Sequence, residues 1–372
     1  MEKAATFDSK KMNMVITLIL WTVLCVTCMV LMLYVALHKT IVIADEVPGQ
    51  LALSVADGQG GIVGNSHVLT FTQQDGNEGS IRIPLAQDIK AENVVVENRY
   101  LNQELWVYIQ GAEESFYDKN VIIGDVSPVV YGYCEEQRNG VILKIQMDDV
   151  WEYYSAMEYG TSVSDSGNSM VISFRDPHEI YGQVVVIDPM GGGSETGSLY
   201  RGYAEKTLAL QIARIISEKL EQSDIRLYFT RLEDVEVAEE TRSELAKAVN
   251  ADMYIRIAAG ADEDVLNYGV AGFYNAEYYI PEIGNVQLAD ILTRNVTIAS
   301  SNRAVGIFPA AEDSILQRLT VPAAQINVGY LTNEQEAALL GREFYRDKLA
   351  QGIVDAIEEV YNSRKAELGD HE

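Results

Sequence analysis

The sequence predicts an α/β sheet flanked by helices, preceded by a small antiparallel β domain and an N-terminal transmembrane helix. Three observations support this: an uncharged apolar segment at 14–37, period-two alternation from about residue 50 to 177, and alternating strand and helix patterns after Gln183. The domain boundaries that follow are a cytoplasmic tail at 1–13, a membrane helix at 14–37, a β-rich extracytoplasmic domain at 41–180, an α/β domain at 183–362 and a polar tail at 363–372.

The apolar segment 14–37 has 24 residues without a charge. At 1.5 Å per residue it can cross a hydrocarbon core of roughly 30 Å. It is longer than the stretch of about 7 to 15 apolar residues in a cleaved signal peptide, which is the rival interpretation. Lys3, Lys10 and Lys11 precede it, whereas Lys39 is soon followed by acidic residues. The positive-inside rule therefore predicts a single-pass cell-membrane protein whose N-terminus is cytoplasmic and whose later domains are extracytoplasmic.

The charge argues against a nucleic-acid-binding protein, and the cysteine content argues against a disulfide-stabilised protein or a zinc finger. The chain has 55 acidic and 28 basic residues, a formal net charge of -27, so it repels polyanions and nucleic acid is not an expected partner. The three cysteines, Cys25, Cys28 and Cys134, are too few for a disulfide framework, and none has histidines at zinc-finger spacing.

The β-rich region shows strand alternation, as in Val141, Leu143 and Ile145, and its Asn139-Gly140 and Asp75-Gly76 dipeptides are typical of tight turns. Its tyrosines have two interpretations: they stack on sugars, or they fill the faces of a small sheet. They include Tyr100, Tyr108, Tyr117, Tyr131, Tyr133, Tyr153 and Tyr154.

The region after Gln183 alternates between strands and helices. The continuous apolar run 184–187 indicates a strand that is buried on both faces, and it ends in a glycine-rich turn at 188–193. Leu208, Ile212 and Ile216 then recur at helical spacing. Further strands are expected at 225–231, 253–259, 269–275 and 323–328, and helices at 238–249, 284–299 and 343–362. Active sites of such folds lie at the carboxyl ends of the strands.

Those strand ends carry a family resemblance. The blocks VVVIDPMGGG, GYAEKTLALQIA, TRLEDVEVAEETRSELAKAVNADMYIRIAAGA and VPAAQINVGYLTNEQEAALL occur in this order. In order and spacing, residues 183–362 resemble the zinc-dependent N-acetylmuramoyl-L-alanine amidases of bacterial cell walls. The resemblance implies a hydrolase domain that cuts the amide bond between muramic acid and L-alanine in peptidoglycan, by means of a zinc-activated water.

The resemblance also implies where the site residues fall. That family uses two histidines and one glutamate as zinc ligands and a further glutamate as the general base. Carried over position by position, the first histidine falls on Gly191, the glutamate ligand on Glu205, the second histidine on Ala258 and the general base on Asn327. Only Glu205 keeps the family's residue type.

The substitutions predict that zinc hydrolysis is lost. Glycine and alanine offer no side-chain lone pair, and an asparagine amide does not accept a proton at neutral pH. The four histidines are His38, His67, His178 and His371, so none lies between Gln183 and the end of the last predicted helix. His178 remains a conceivable substitute ligand, in a two-ligand site that would be weak. No metal and no cofactor are therefore expected, and zinc is expected only if the chain is an active enzyme.

A carboxylate that keeps its place after the metal is lost needs another partner. Arg256, which stands where the family has a serine, lies two residues before Ala258 on the same predicted strand. We therefore predict an ion pair between Arg256 and Glu205, with Lys206 or water as the alternative. Two retained residues also have structural interpretations: Glu205 at a helix N-terminus opposes the macrodipole, and Asn333 is a typical N-cap.

The leading functional hypothesis is a membrane-anchored, amidase-like pseudoenzyme that binds peptidoglycan, or that binds a cell-wall hydrolase or another cell-envelope protein as a regulator or scaffold. An active N-acetylmuramoyl-L-alanine amidase with a rearranged metal site is the alternative. A third hypothesis is a structural ectodomain of a larger envelope assembly. Metal content and sacculus binding would separate the three.

Overall fold

The computed structural model describes residues 40–41, 43–45, 66–160, 167–277 and 283–369. The tail predicted at 1–13 and the membrane helix predicted at 14–37 lie outside these residues, so both stay predictions. Within the described part of the chain, no helix has the combination of length and apolar character that a membrane crossing needs.

The N-terminal domain consists of two six-stranded β-sheets. Strand residues alternate between an inner core and an outer face, so Ile83, Val107, Leu143 and Ile172 are all buried in one cluster. The first sheet has the order β1 (Thr40–Ile41), β11 (Glu152–Glu158), β12 (Asn168–Arg175), β5 (Ser80–Leu85), β8 (Ile122–Gly124) and β4 (Phe71–Gln73). The second has the order β2 (Ile43–Asp45), β6 (Val94–Arg99), β7 (Glu104–Gln110), β10 (Gly140–Met147), β9 (Val129–Gln137) and β3 (Ser66–Val68).

The prediction of an antiparallel β domain is correct for most strand pairs but not for all. The pairs β4–β8 and β2–β6 are parallel. The Asn139-Gly140 turn does join paired antiparallel strands, β9 and β10. The Asp75-Gly76 loop does not, because β8 lies between β4 and β5 and pairs with both. A short helix, α1 (Glu114–Tyr117), precedes β8, and α2 (Pro177–Ile180) follows the domain.

The C-terminal domain is the predicted α/β sheet. Its strands have the order β16 (Ile225–Phe229), β13 (Gln183–Pro189), β17 (Met253–Gly260), β20 (Ala323–Tyr330), β18 (Val270–Tyr274) and β19 (Ala304–Pro309). Four neighbouring strands, β16, β13, β17 and β20, are parallel, whereas β18 is antiparallel to β20. The helices are α3 (Glu205–Leu220), α4 (Glu239–Ala248), α5 (Asn285–Ser300), α6 (Glu334–Leu340) and α7 (Glu343–Gly369), and a small hairpin joins β14 (Leu199–Tyr200) to β15 (Tyr203–Ala204).

Both faces of this sheet are covered, which explains why every residue of β13 is buried. One face carries Val185 and Ile187 and packs in a cluster with residues of α3, α5 and α7. The other face carries Val184 and Val186 and packs against α4 and the β domain. The last helix continues to Gly369, so most of the segment predicted as a polar tail is helical.

The two domains meet across a buried interface. The Tyr100 hydroxyl, from the β domain, donates to the Phe229 carbonyl at 2.8 Å and accepts from the Phe229 amide at 3.2 Å. The rings of Tyr100 and Tyr228 are in edge-to-face contact, with centroids 5.1 Å apart. Glu152 accepts a hydrogen bond from the Tyr228 hydroxyl at 2.6 Å and pairs with Arg226. The β domain therefore packs against β16, an edge strand of the α/β sheet.

Candidate functional site

The four positions inferred from the resemblance lie together at the carboxyl ends of β13, β17 and β20. Ala258 and Asn327 are neighbours in the register of β17 and β20. The carboxylate of Glu205 accepts a hydrogen bond from the amide of Ala259, the residue after Ala258. The turn that carries Gly191 is bound to β17, since the amide of Met190 donates to the Ile257 carbonyl at 3.0 Å.

Glu205 is the first residue of α3, and it is only 3% exposed. One carboxylate oxygen accepts from the Ala259 amide at 2.7 Å and the other from the Ser198 amide at 2.8 Å. Gly197 approaches this carboxylate so closely that an added Cβ would lie 2.5 Å from an oxygen, and its φ of +61° is the left-handed conformation that glycine allows. The chain's own backbone thus binds both oxygens of the one retained ligand.

The backbone at Gly191 disfavours any side chain, including the histidine that the amidase family has at this position. Its φ is +69°, and a Cβ at this position would lie 2.7 Å from the Glu195 carbonyl oxygen. Gly192 and Glu195 hold that loop in place through two mutual backbone hydrogen bonds of 2.9 and 3.0 Å. A side chain at 191 would therefore require the loop to move.

The remaining two positions also lack metal-binding or basic groups. Ala258 is buried. The side-chain oxygen of Asn327 accepts a hydrogen bond from the Gln325 amide at 2.9 Å. Neither side chain presents a charged or imidazole ligand to the site.

The predicted ion pair between Arg256 and Glu205 is wrong. Arg256 makes two hydrogen bonds to the carboxylate of Glu239, at 2.8 and 3.1 Å, and its Nε lies 3.5 Å from Asp188. The reason is register: Arg256 is the direct neighbour of Asp188 across β13 and β17, and α4 begins with Glu239 above the same face. Glu205 uses backbone amides instead.

Lys206, the alternative partner, does not bind Glu205 either. Its ammonium donates to the Gly193 carbonyl at 2.7 Å and to Asp234 at 2.8 Å. These bonds connect α3 to the glycine-rich turn and to the loop after β16. Lys206 therefore helps to hold the loop 193–198, whose Ser198 amide binds Glu205.

Asp188 is the centre of a buried charged cluster that the sequence interpretation treated as a simple turn. It is fully buried, and it accepts from the Thr230 hydroxyl at 2.6 Å, from the Tyr254 hydroxyl at 2.5 Å and from Arg242. Burial alone would raise the pKa of Asp188, but the guanidinium groups of Arg242 and Arg256 and the two hydroxyl donors outweigh it and lower this pKa to about 2. The blocks that carry the resemblance already contained Asp188, Thr230 and Arg242, which was the available signal.

Two buried arginines shape the turn that contains Gly191. Arg231 donates to the carbonyls of Pro189 at 3.0 Å and Met190 at 2.7 Å, and burial lowers its pKa to about 10. Arg242 donates to the carbonyls of Pro189 at 3.1 Å and Gly191 at 2.8 Å. In the amidase family this turn carries the first histidine ligand. Here Arg231 and Arg242 hold the turn although the histidine is absent.

His178 is too far from the site to substitute as a ligand. It lies on α2, and its Nε2 is 3.3 Å from a carboxylate oxygen of Asp252. Asp252 directly precedes β17, whose opposite end carries Ala258. His67 belongs to the β domain, where it contacts Glu114 at 2.9 Å, and His38 and His371 lie outside the described residues.

The residues present do not fit a catalytic zinc ion, which takes three protein ligands. Among the described residues, no group of three or more His, Cys, Asp or Glu side chains has an arrangement that could hold a metal.

Asn333 has the structural role that was predicted, because its side chain caps α6 by accepting from the amides of Gln335 and Glu336, both at 3.1 Å.

Comparison with known proteins agrees with this geometry. Residues 185–359 match the family model described as N-acetylmuramoyl-L-alanine amidase. Residues 185–359 are therefore similar to that family. The amidase resemblance inferred from the sequence is thereby confirmed, whereas the loss of activity stays a prediction.

Two relatives and one solved structure are similar to this chain. The germination-specific N-acetylmuramoyl-L-alanine amidase of Bacillus subtilis (strain 168) is 29% identical over 192 residues, which cover 47% of this chain and 78% of that relative. N-acetylmuramoyl-L-alanine amidase LytC of the same strain is 25% identical over 199 residues, 52% of this chain and 40% of LytC, so this chain spans less than half of that relative's length. Among solved structures, the N-acetylmuramoyl-L-alanine amidase from Clostridium difficile 630 is 29% identical with a TM-score of 0.46, covering 49% of this chain and 97% of that one.

Proposed function

We propose that this protein is a catalytically inactive member of the amidase family, which is anchored in the cell membrane by residues 14–37 and binds peptidoglycan outside the cytoplasm. Regulation or scaffolding of a cell-wall hydrolase would follow from such binding. The family assignment and the geometry of the site support the proposal. An active N-acetylmuramoyl-L-alanine amidase that uses zinc is the alternative.

The observation that carries the proposal is the environment of Glu205. Each of its carboxylate oxygens accepts a backbone hydrogen bond, from Ser198 and from Ala259. The loop that supplies Ser198 also occupies the space next to Gly191, where the family has a histidine. A hydrolytic zinc site would need this loop to leave and would still lack two ligands and the general base.

Retention of the scaffold argues for a surface that is still used. The Asp188 cluster and the buried arginines stabilise the strand ends and the turn although these no longer present ligands. A domain kept only as a spacer would not need this arrangement. Binding to a cell-wall component is the use that fits the family best.

Metal content and hydrolysis test the loss of activity. We expect the full-length chain, purified in the presence of zinc, to hold far less than one equivalent of the metal and to release no stem peptides from sacculi. Glu205→Gln tests the retained ligand, and Glu195→Gln, a change at an exposed residue of the same loop, is the matched control. Peptide release that is abolished by Glu205→Gln but kept by Glu195→Gln would establish the enzyme alternative.

Protease accessibility tests the membrane placement. In wall-stripped intact cells, added protease should digest the domains beyond about residue 40 and leave the N-terminal tail intact, because the tail is on the cytoplasmic side. Protection of the domains would show that the orientation is wrong. Release of the protein by salt without detergent would show that 14–37 does not span the membrane.

A further inference from the structure

The outer face of the second sheet of the β domain carries four aromatic residues: Trp106 and Tyr108 on β7, and Tyr131 and Tyr133 on β9. We call these four side chains the aromatic face. Each belongs to the outward set of its strand, since the residues between them, such as Val107 and Gly132, are buried. Strand β10 lies between β7 and β9 and places Lys144 beside both Trp106 and Tyr133.

Tyr131 and Tyr133 are the exposed part of this face. Their side chains are 45% and 39% exposed, and their ring centroids are 5.3 Å apart with an angle of 57° between the ring planes. The two residues are alternate positions of one strand, so their rings stand side by side on a rigid backbone. Rings held in this way offer an apolar surface to a ligand at little cost in side-chain entropy.

Charged groups fix the Trp106 end of the face. The guanidinium carbon of Arg99 lies 3.9 Å and the Lys144 ammonium 4.5 Å from the centroid of the Trp106 ring, whose indole nitrogen donates to Glu104 at 2.9 Å. Lys144 also pairs with Glu135 at 2.7 Å. The face thus combines exposed rings with polar groups that are already oriented by the protein.

The charge of this surface differs from that of the rest of the chain. Its outward residues include three glutamates, Glu97, Glu104 and Glu135, and two cations, Arg99 and Lys144, so they nearly cancel in a chain of net charge -27. A nearly neutral surface does not attract a strongly charged partner. It suits a polymer whose surface consists mostly of hydroxyl and C–H groups.

We propose that the aromatic face binds the glycan strand of peptidoglycan, so that the β domain supplies a wall-binding surface of its own. Sugar rings present an apolar C–H surface to aromatic rings and hydroxyl groups to polar neighbours, and this face supplies both kinds of contact. The inference rests on the proposed peptidoglycan binding and names its site.

Binding of the full-length chain to two probes tests the inference. The probes are intact sacculi and glycan strands from which the peptides have been removed. We expect both to be bound, and we expect Tyr131→Ala combined with Tyr133→Ala to weaken binding of the peptide-free strands at least about tenfold, because two stacking surfaces are lost. Tyr133→Phe keeps the ring and should retain most of the affinity.

Tyr154→Ala is the matched control, because Tyr154 is also an exposed tyrosine, at 51%, but lies on β11 of the other sheet. It should leave the affinity unchanged. A urea unfolding midpoint for each variant verifies the fold. Equal affinity of the double variant and the parent for the strands would overturn the aromatic face as the site.

The outcomes separate this inference from the proposed function. Binding to sacculi without binding to peptide-free strands would overturn the glycan assignment and leave peptidoglycan binding in place. No binding to either probe would overturn both. If the double substitution spares the glycan affinity but removes contact with an envelope protein, the face is a protein-binding surface and the proposal is wrong.

Discussion

Two buried carboxylates at the same end of the α/β sheet are stabilised in different ways. Asp188 is surrounded by Arg242, Arg256 and two hydroxyl donors, whereas Glu205 is held by the backbone amides of Ser198 and Ala259. The first arrangement depends on specific side chains, and the second depends on the path of a loop. The comparison shows that side chains hold the turn that contains Gly191, whereas the backbone of the chain holds the carboxylate of Glu205.

Removal of a guanidinium from the Asp188 cluster should have the largest effect. Arg242→Met would leave Asp188 with one cation and would remove the bonds to the carbonyls of Pro189 and Gly191. We expect the free energy of unfolding to fall by about 3–5 kcal/mol, since a buried charge loses its partner. Urea unfolding measures this change.

The matched control is Arg318→Met, which breaks the solvent-exposed pair of Arg318 and Glu240. It should leave the unfolding midpoint within error, because exposed pairs are screened by water. Equal losses in the two variants would show that the buried cluster is not the support of the turn.

The close contact between the loop and position 191 can be tested by a substitution of Gly191. Gly191→Ala should lower the free energy of unfolding by about 2–3 kcal/mol, because it adds both an unfavourable left-handed φ and a contact with the Glu195 carbonyl. Gly202→Ala is the control, since Gly202 has a φ of +87° but no atom within 4 Å of an added Cβ. It should cost only about 1 kcal/mol. If the two variants are equally stable, the loop does not press on position 191.

The sequence predicted more of the scaffold than of the site. Strands at 253–260 and 323–330 and the helix at 285–300 follow from periodicity, because burial imposes their patterns directly. Strand β19 was missed, since its burial pattern includes no buried residue and a glycine, Gly306, lies within it. Parallel pairing within the β domain was missed too, because strand alternation is the same in both kinds of sheet.

The contacts of the site residues were harder to predict for a physical reason. Glu205 is bound by backbone amides, which every residue except proline has, so no residue type marks them. Arg256 was assigned the wrong partner, because its true partner, Glu239, comes from a helix whose position over the sheet is a tertiary feature. The resemblance located the four positions, but it carried no information about the loop that now covers them.

Acid should weaken the Asp188 cluster in a defined window. The pKa of Asp188 is about 2 in the folded protein against an ordinary value of 3.8, so its contribution is complete above about pH 4 and is lost as the pH falls towards 2. The loss should amount to roughly 2 kcal/mol. Asp188→Asn should remove this part of the pH dependence, as measured by urea unfolding at each pH.

Glu336 provides a control of opposite sign. Burial raises its pKa above the ordinary value of 4.5 and outweighs its neutral hydrogen-bond donors, Asn302 and the amides of Gly269 and Tyr330, which lower it. Its contribution is present at low pH and is lost as the pH rises through the raised pKa. Glu336→Gln should therefore flatten a slope opposite to that of Asp188. If the free energy of unfolding changes with pH in the same way in both variants, the assignment of the lowered Asp188 pKa to the arginines is wrong.

The smallest effect is expected at Glu205. In Glu205→Gln, one oxygen still accepts a backbone hydrogen bond, but the new amide group opposes the second backbone N–H and leaves it unsatisfied. This costs about 1–2 kcal/mol, reduced because a buried charge is also removed. Hydrogen exchange gives a more specific measurement: one of the two amides that donate to Glu205 in the parent, Ser198 or Ala259, should exchange faster, since it loses its acceptor. Glu195→Gln should leave both rates unchanged, and unchanged rates in Glu205→Gln as well would mean that the loop is held independently of the carboxylate.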